Sequence, residues 1–193
     1  MELMAKRGQA KELFTASEVA RFCQVDLKTI HNWADRGEIR HFRTPGRHLR
    51  FRRLDVLDFL RKYGYPVPDV LSQGRPTVHI IDEDATSLAS IETELKERFD
   101  VTTFQEPVDA LIAVGSDKPD VVVLDVASQK IDGVACVERL KHMESTRHVR
   151  IVVYSADETF QQRSLAAGAS AFVPRPNLRR LTETLEALMG TVR

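Results

Sequence analysis

The sequence predicts an α/β protein of two domains: a small helical domain with a β-hairpin, then a doubly wound domain around a five-stranded parallel sheet. Three observations predict this division. The 193 residues exceed what one small domain needs. A proline-rich segment interrupts the hydrophobic pattern at residues 65–76, and strand-like and helix-like segments alternate only after it. We therefore place the domains at residues 1–64 and 77–193, with residues 65–76 as an extended, non-helical linker.

The composition is that of an ordinary globular protein, with 42% hydrophobic and 29% charged residues. The chain has no apolar run of about 18 residues, and its polar start lacks the apolar core of a secretion signal. We therefore expect a cytoplasmic protein without a membrane partner. Cys23 and Cys136 each lie in an apolar helical pattern, which predicts two buried thiols and neither a disulfide framework nor a zinc site.

The two halves carry opposite charge. Residues 1–73 contain 14 Lys and Arg against 9 Asp and Glu, whereas residues 74–193 contain 14 against 19. The halves therefore have net charges of +5 and −5, which cancel in the whole chain. Such asymmetry indicates that the N-terminal half binds a nucleic acid or another anion.

The N-terminal half predicts two helices, a hairpin and a third helix. Thr15 or Ser17 caps the first helix, and Asp26 caps a second one that ends before Gly37. A hairpin turns at residues 44–46, and the last helix runs from about residue 54 to Gly64. The inward stripes are those of Val19, Phe22 and Cys23, then Ile30, Trp33 and Ala34, then Val56, Phe59, Leu60 and Tyr63.

The C-terminal half predicts five strands separated by helices. Because the strands are apolar throughout, we expect a parallel sheet covered on both faces, with its site at the carboxyl ends of the strands. The helices show stripes such as residues 88/91/95, 134/137/140 and 178/181/185/188. The predicted strands are Val78–Ile81, Val101–Phe104, Val121–Leu124, Ile151–Tyr154 and Ala171–Val173.

The basic residues of the N-terminal half predict a DNA-binding surface. Between residues 36 and 53 there are seven arginines and one acid, Glu38. A merely solvated face is the alternative, but the position of these arginines on a hairpin behind two short helices favours DNA. The second helix and the hairpin provide the candidate DNA-binding residues: Lys28, Thr29, His31, Asn32, Arg36, Arg43, Arg47, His48 and Arg50.

This half resembles the winged helix-turn-helix domain of the MerR/excisionase superfamily. The resemblance is carried by residues 15–21 (Thr-Ala-Ser-Glu-Val-Ala-Arg), 28–33 (Lys-Thr-Ile-His-Asn-Trp) and 43–51 (Arg-Thr-Pro-Gly-Arg-His-Leu-Arg-Phe). It implies that the second helix reads the major groove and that the hairpin, as the wing, contacts the minor groove or phosphates. The chain lacks the long dimerisation helix that follows in full MerR regulators, so the resemblance implies no small-molecule sensing.

The ends of the predicted parallel strands collect charged and polar residues. Asp82 and Glu83 follow the first strand, Asp125 follows the third, Ser155 ends the fourth and Arg175 follows the fifth. Carboxylates in this arrangement suit Mg²⁺, and a carboxylate beside the metal can accept a phosphoryl group. The alternative is that the acids only cap the helices that follow.

This half resembles the receiver domain of two-component response regulators. The resemblance implies that Asp82, Glu83 and Asp125 hold Mg²⁺ and that Asp125 accepts the phosphoryl group. It also implies that Ser155, Phe172 and Arg175 form the switch. Two departures stand out: Arg175 occupies the position of the family's lysine, and Gln129 replaces a proline.

Together the two resemblances imply a DNA-binding transcription regulator of response-regulator type, and not an enzyme. They imply double-stranded DNA as a partner, dimerisation through the receiver, and phosphorylation of Asp125 by a histidine kinase. Two alternatives stay open: a pseudo-receiver adaptor that docks a protein partner, and a nucleoid-associated DNA binder without phosphorylation control. An enzyme acting on phosphate esters ranks last because the sequence shows no general base.

Overall fold

The computed structural model describes residues 11–72 and 74–189. The chain divides into two compact units between Gly74 and Arg75. Three parts of the predicted domains lie outside the described residues: residues 1–10, linker residue 73 and residues 190–193. In the part of the chain that is described, no helix is both long and apolar enough to cross a membrane.

The N-terminal unit combines short helices with a three-stranded antiparallel sheet of order β1-β3-β2. The three helices and the hairpin of β2 and β3 are as predicted, whereas the sequence pattern does not predict β1, which pairs with β3 through Phe14 and Phe51. The elements are β1 Leu13–Thr15, α1 Ala16–Cys23, α2 Leu27–Asp35, β2 Phe42–Arg43, β3 Leu49–Arg52, α3 Arg53–Lys62 and α4 Asp69–Ser72.

The helix caps follow from local sequence. Thr15, and not Ser17, caps α1: its hydroxyl accepts from the Glu18 amide while the Glu18 carboxylate accepts from the Thr15 amide, which is a capping box. Burial alone would raise the pKa of Glu18, but hydrogen bonds from Lys11 and Thr15 lower it to about 2. Asp26 caps α2 by accepting from the Thr29 amide at 2.7 Å.

The core of the N-terminal unit confirms most of the predicted inward stripes. Ile30 and Leu60 are fully buried, whereas Trp33 is half-buried and packs its ring 5.1 Å from that of Phe59. The prediction that Tyr63 is buried was wrong, because its side chain is 45% exposed. Tyr63 is the residue after the last turn of α3, where the backbone leaves the helix and the side chain leaves the apolar face.

The prediction of a wholly extended linker was also wrong, because α4 lies inside it. The amide of Leu71 donates to the Pro68 carbonyl at 2.9 Å, and the Leu71 side chain is fully buried. Pro68 directly precedes α4, where its missing N–H removes no hydrogen bond of the helix. The buried guanidinium of Arg53 donates to the Leu71 carbonyl at 3.4 Å. Burial of Leu71 thus makes this segment part of the N-terminal unit.

The C-terminal unit is the predicted parallel sheet, with strand order β5-β4-β6-β7-β8 and helices between the strands. Each predicted strand is present, extended by no more than one residue at either end. The elements are β4 Thr77–Ile81, α5 Ala85–Leu95, β5 Asp100–Phe104, α6 Pro107–Asp117, β6 Val121–Leu124, α7 Gly133–His142, β7 Arg150–Ser155, α8 Phe160–Ala166, β8 Ala171–Pro174 and α9 Leu178–Met189.

The core of this unit lies on both sides of the central strands. All four residues of β6 are buried, but β5 alternates between exposed and half-buried residues because it is an edge strand. The expectation that every strand is covered on both faces was therefore wrong for β5. Cys23 is buried as predicted, and burial raises the pKa of its thiol to about 11. Cys136 is only half-buried, and burial also raises its pKa.

Candidate functional site

An acidic cleft lies at the carboxyl ends of the parallel strands, where the sequence predicted it. The cleft has a volume of about 240 Å³ and is lined by side chains from three strand ends and from the loop after β6. Its charged lining residues are Asp82, Glu83, Asp84, Asp125 and Arg175. Parallel strands bring these residues together because all their carboxyl ends meet at one edge of the sheet.

Asp125, the predicted phospho-acceptor, has polar partners on both carboxylate oxygens. Its Oδ1 accepts from the Ser155 hydroxyl at 2.8 Å and from the Ala127 amide at 3.0 Å, and its Oδ2 lies 3.4 Å from the Arg175 guanidinium. The side chain is 21% exposed, so it remains within reach of solvent. Ser155 and Asp125 are thus in direct contact, as a switch pair requires.

Arg175 forms an ion pair with both aspartates of the cleft. Its Nη2 contacts Asp82 Oδ2 as well as Asp125 Oδ2, and the Asp82 side chain is only 4% exposed. The second oxygen of Asp82 accepts from the Asp84 amide at 2.9 Å. A carboxylate as buried as Asp82 requires a cation or several donors, and here the arginine supplies the cation.

Glu83 lines the same cleft and holds the loop after β6. Its Oε1 accepts from the Ser128 hydroxyl and lies 3.4 Å from the Lys130 amide. The Lys130 amide also donates to the Ser128 hydroxyl oxygen at 3.1 Å. Glu83 therefore organises the loop that carries Gln129, which is exposed at the cleft.

This arrangement does not fit a divalent cation at the predicted ligands Asp82, Glu83 and Asp125. In residues 11–72 and 74–189, no three His, Cys, Asp or Glu side chains converge as a metal site. The physical reason is that Arg175 already neutralises the two aspartates, while Glu83 is bonded to the loop. Binding of Mg²⁺ at these residues stays a prediction, and it requires Arg175 to move.

The second predicted switch residue, Phe172, is buried in the sheet core with only 8% of its surface exposed. It lies on β8, where it pairs with Val153 of β7, two residues before Ser155, which itself pairs with Pro174. A change at Ser155 can therefore reach Phe172 only through the packing of two neighbouring strands.

The predicted DNA-binding residues of α2 and its C-terminal end differ in their exposure to solvent. Lys28, Asn32 and Arg36 are exposed at intervals of four residues and therefore share one face of the helix. Thr29 and His31 are half-buried beside that face. The exposed face thus contains three of the five residues predicted to bind DNA from this helix, and these three provide two cations and one amide.

The wing lies next to this helix. Arg43 on β2 donates from its guanidinium to Asp35, the last residue of α2, at 3.0 Å. At the tip, the Arg47 amide donates to the Thr44 carbonyl at 2.7 Å and closes the turn. Arg43, Arg47 and His48 are exposed, and Arg50 is half-buried in β3. An ion pair thus connects the helix face to the exposed basic tip.

Arg47 has a backbone conformation that arginine rarely adopts. Its φ is +61°, in the left-handed region, where a Cβ costs about 1 kcal/mol relative to glycine. The turn begins at Thr44 and includes Gly46, which has an ordinary φ. The only glycine of the turn therefore precedes Arg47, the position whose φ favours glycine. Strain of this kind in an exposed residue is typical of functional sites.

Sequence reasoning missed three contributors to these sites. Tyr154 holds Arg175, because its carbonyl accepts from Arg175 Nε at 2.9 Å and the guanidinium carbon lies 4.9 Å from its ring centroid. Ser128 anchors Glu83, and Asp35 anchors Arg43. The position of Tyr154 directly before Ser155 was the available signal, but apolar strand residues were read only as core.

Family comparison agrees with both units. Residues 78–186 match the response regulator receiver domain, and residues 13–64 match a helix-turn-helix domain. The transcriptional regulatory protein PrrA of Mycobacterium tuberculosis is 33% identical over 118 residues, which are 59% of this chain and 50% of PrrA. The response regulator MprA of Mycolicibacterium vanbaalenii is 30% identical over 114 residues, 57% of this chain and 48% of MprA. The chain thus spans about half the length of these curated relatives.

Solved structures share the fold of the C-terminal unit. A response regulator from Thermotoga maritima superposes with a TM-score of 0.54 at 24% identity, over 61% of this chain and 99% of the other. The receiver domain of a sensor histidine kinase from Pseudomonas aeruginosa superposes with a TM-score of 0.56 at 18% identity, over 61% of this chain and 99% of the other. That domain has a magnesium ion coordinated in its active-site cleft.

Proposed function

This chain belongs to the response regulator receiver family, and we propose that it is a DNA-binding transcription regulator whose helix-turn-helix domain contacts the duplex. In this proposal α2 lies in the major groove and the wing contacts phosphates or the minor groove. The relative PrrA, whose name is that of a transcriptional regulatory protein, supports a role in transcription.

The strained, exposed Arg47 at the wing tip carries this proposal. A turn that served only to connect β2 and β3 would be more stable with glycine at this position. The arginine instead places an exposed cation at the tip of the wing, which the Arg43–Asp35 ion pair connects to the end of α2. A phosphate backbone is the partner that this charge and amide pattern suits.

The test is a titration of the full chain with a fluorescently labelled duplex at several salt concentrations. We expect the binding constant to fall with salt, with a logarithmic slope of about −0.9 for each phosphate contacted. The variant Arg47→Gly should weaken binding and reduce that slope by about one contact. Its N-terminal unit should be as stable as wild type or more so, measured by the fluorescence of Trp33, the single tryptophan of the chain.

A matched control is Arg180→Gly, which removes an exposed arginine from α9 in the other unit. We expect its DNA affinity to equal that of wild type. Binding without a salt slope, or equal losses for Arg47→Gly and Arg180→Gly, would contradict the proposal, because the wing would then make no specific contribution.

We further propose that the receiver pairs two copies of the chain. One winged helix-turn-helix domain reads a single half-site, and joining two of them raises affinity through effective concentration. Sedimentation of the full chain should give a dimer, and the duplex should then be bound with two chains at sites about one helical turn apart. A monomer that binds a single half-site with full affinity would refute this arrangement.

Control of the regulator by phosphorylation of Asp125 is a second candidate, favoured by the retained contact between Asp125 and the Ser155 hydroxyl. A histidine kinase would be the partner in that case. Treatment with acetyl phosphate should then add the mass of one phosphoryl group to wild type and none to Asp125→Asn. Equal masses for both proteins would favour a receiver that acts without phosphorylation.

A further inference from the structure

Arg175 is held in place by groups other than the acids of the cleft. Its backbone amide donates to the Ser155 carbonyl at 3.1 Å, and its Nε donates to the Tyr154 carbonyl at 2.9 Å. The guanidinium also lies over the Tyr154 ring, with its carbon 4.9 Å from the centroid. The two contacts with Tyr154 thus orient the planar group independently of the carboxylates, and only 16% of the side chain is exposed.

One of the two terminal guanidinium nitrogens, Nη2, is directed at the two aspartates. It contacts Asp82 Oδ2 and lies 3.4 Å from Asp125 Oδ2. These residues follow adjacent strands, β4 and β6, so their carboxylates lie near each other at the sheet edge. Two ionised carboxylates so placed repel each other unless a cation lies between them.

A lysine at this position could not make the same set of contacts. Lysine has no Nε donor for the Tyr154 carbonyl and no planar group for the Tyr154 ring. Its ammonium would be free to leave the aspartates when another cation arrives. The contacts of arginine with Tyr154 make such a movement costly, because the hydrogen bond and the ring contact are lost together.

Glu83 also lines the cleft, but its carboxylate is hydrogen-bonded to the loop after β6. Its contacts with Ser128 and with the Lys130 amide hold the loop after β6. A divalent cation would therefore have to displace Arg175 from two carboxylates and Glu83 from the loop. Mg²⁺ binds weakly unless carboxylates are available to it, because it gives up its water reluctantly.

We propose that Arg175 is a built-in cation that takes the place of the divalent metal in this receiver. It neutralises Asp82 and Asp125, so the cleft keeps its structure without Mg²⁺ and binds the metal poorly. The inference concerns the receiver alone and does not depend on DNA binding by the N-terminal unit. The proposal and the prediction of Mg²⁺ binding differ in one measurable respect, which is whether Mg²⁺ binds to the full chain and raises its melting temperature.

The test compares wild type with Arg175→Gln in EDTA and in millimolar MgCl₂, by calorimetric melting and by titration calorimetry with MgCl₂ alone. We expect the melting temperature of wild type to be the same in both solutions. Arg175→Gln should melt at a lower temperature in EDTA, recover in MgCl₂, and bind Mg²⁺ at least about tenfold more tightly than wild type. The recovery is specific, because a merely structural role of Arg175 would leave the variant destabilised in both solutions.

Three further variants make the result decisive. Arg179→Gln removes an exposed arginine paired with Glu183 and should behave as wild type. The double variant Asp82→Asn, Arg175→Gln should lose the response to Mg²⁺, because it lacks one of the two carboxylates. If Arg175→Gln does not fold in either solution, Arg175→Lys takes its place, and it should bind Mg²⁺ more tightly than wild type. Equal affinity of wild type and variant for Mg²⁺, or an equal rise in melting temperature, would overturn the proposal.

Discussion

The replacement Gly133→Ala tests how tightly the loop after Asp125 is packed. Gly133 is the first residue of α7, and a Cβ built on it lies 2.5 Å from the Cα of Val126 and 2.9 Å from the Val126 carbonyl oxygen. Ordinary contacts of a Cβ begin near 3.4 Å, so the overlap approaches 1 Å. The opposing atoms belong to the backbone and cannot rotate away. Either α7 or the chain directly after Asp125 must therefore move.

We expect this change to destabilise the receiver by about 3 kcal/mol, the upper part of the range for overpacking. For a domain of this size the loss corresponds to a melting temperature lower by roughly 10 °C. The control is Gly115→Ala in α6, where a Cβ meets no atom within 4 Å. Because alanine is the better helix former, this variant should gain about 0.5–1 kcal/mol.

Scanning calorimetry of the full chain measures both variants. Trp33 belongs to the N-terminal unit, so its fluorescence provides an internal reference that neither change should shift. A Gly133→Ala protein as stable as wild type would refute the argument from close approach. So would an equal shift in both variants, because the effect would then come from helix propensity alone.

Three further predictions concern single contacts. Thr15→Ala removes the cap of α1 and should lower the free energy of unfolding in urea by about 1 kcal/mol. In the wild type, the pKa of Glu18 is lowered to about 2 in the folded state. The stability that comes from its charged form should therefore be complete above about pH 4.5 and disappear as the pH falls towards 2. Asn32→Ala should reduce discrimination between duplex sequences by about 1–3 kcal/mol and leave the salt slope unchanged, in competition binding assays, because the amide is uncharged; a changed slope would argue against base contact. Ser155→Ala should destabilise the receiver by about 1 kcal/mol in calorimetry through loss of the 2.8 Å bond to Asp125, while Ser155→Thr should not; equal losses would show that this bond does not stabilise the fold.

The strands of the receiver were predictable because their pattern is local and strong. Residues 121–124 are apolar without interruption and become a central strand that is buried on both faces. Residues 101–104 contain two threonines and become the half-exposed edge strand β5. Strand order depends on which crossovers pack best, and no single segment encodes it.

Two failures of prediction fall at the end of a helix and in the linker. Tyr63 continues the spacing of the α3 stripe, but the helix ends before it and the side chain reaches solvent. Leu71 follows two prolines in the chain, yet its burial favours a short helix there. For Leu71, burial against residues distant in sequence outweighed the local preference for an extended chain. For Tyr63, the end of the helix removed the contact that the local spacing predicted.

The sequence by itself determined which residues meet at the acidic cleft. The carboxyl ends of parallel strands must share one edge, so Asp82, Asp125, Ser155 and Arg175 could be assigned to one site from strand pattern alone. Only the tertiary structure decided how they pair. Arg175 lies 50 residues after Asp125 in the chain, and its ion pairs depend on the Tyr154 carbonyl and ring that orient it. The proximity of these residues follows from the topology of the sheet. Which of them form hydrogen bonds or ion pairs depends on differences in distance of less than about 1 Å, which only the packing of the side chains sets.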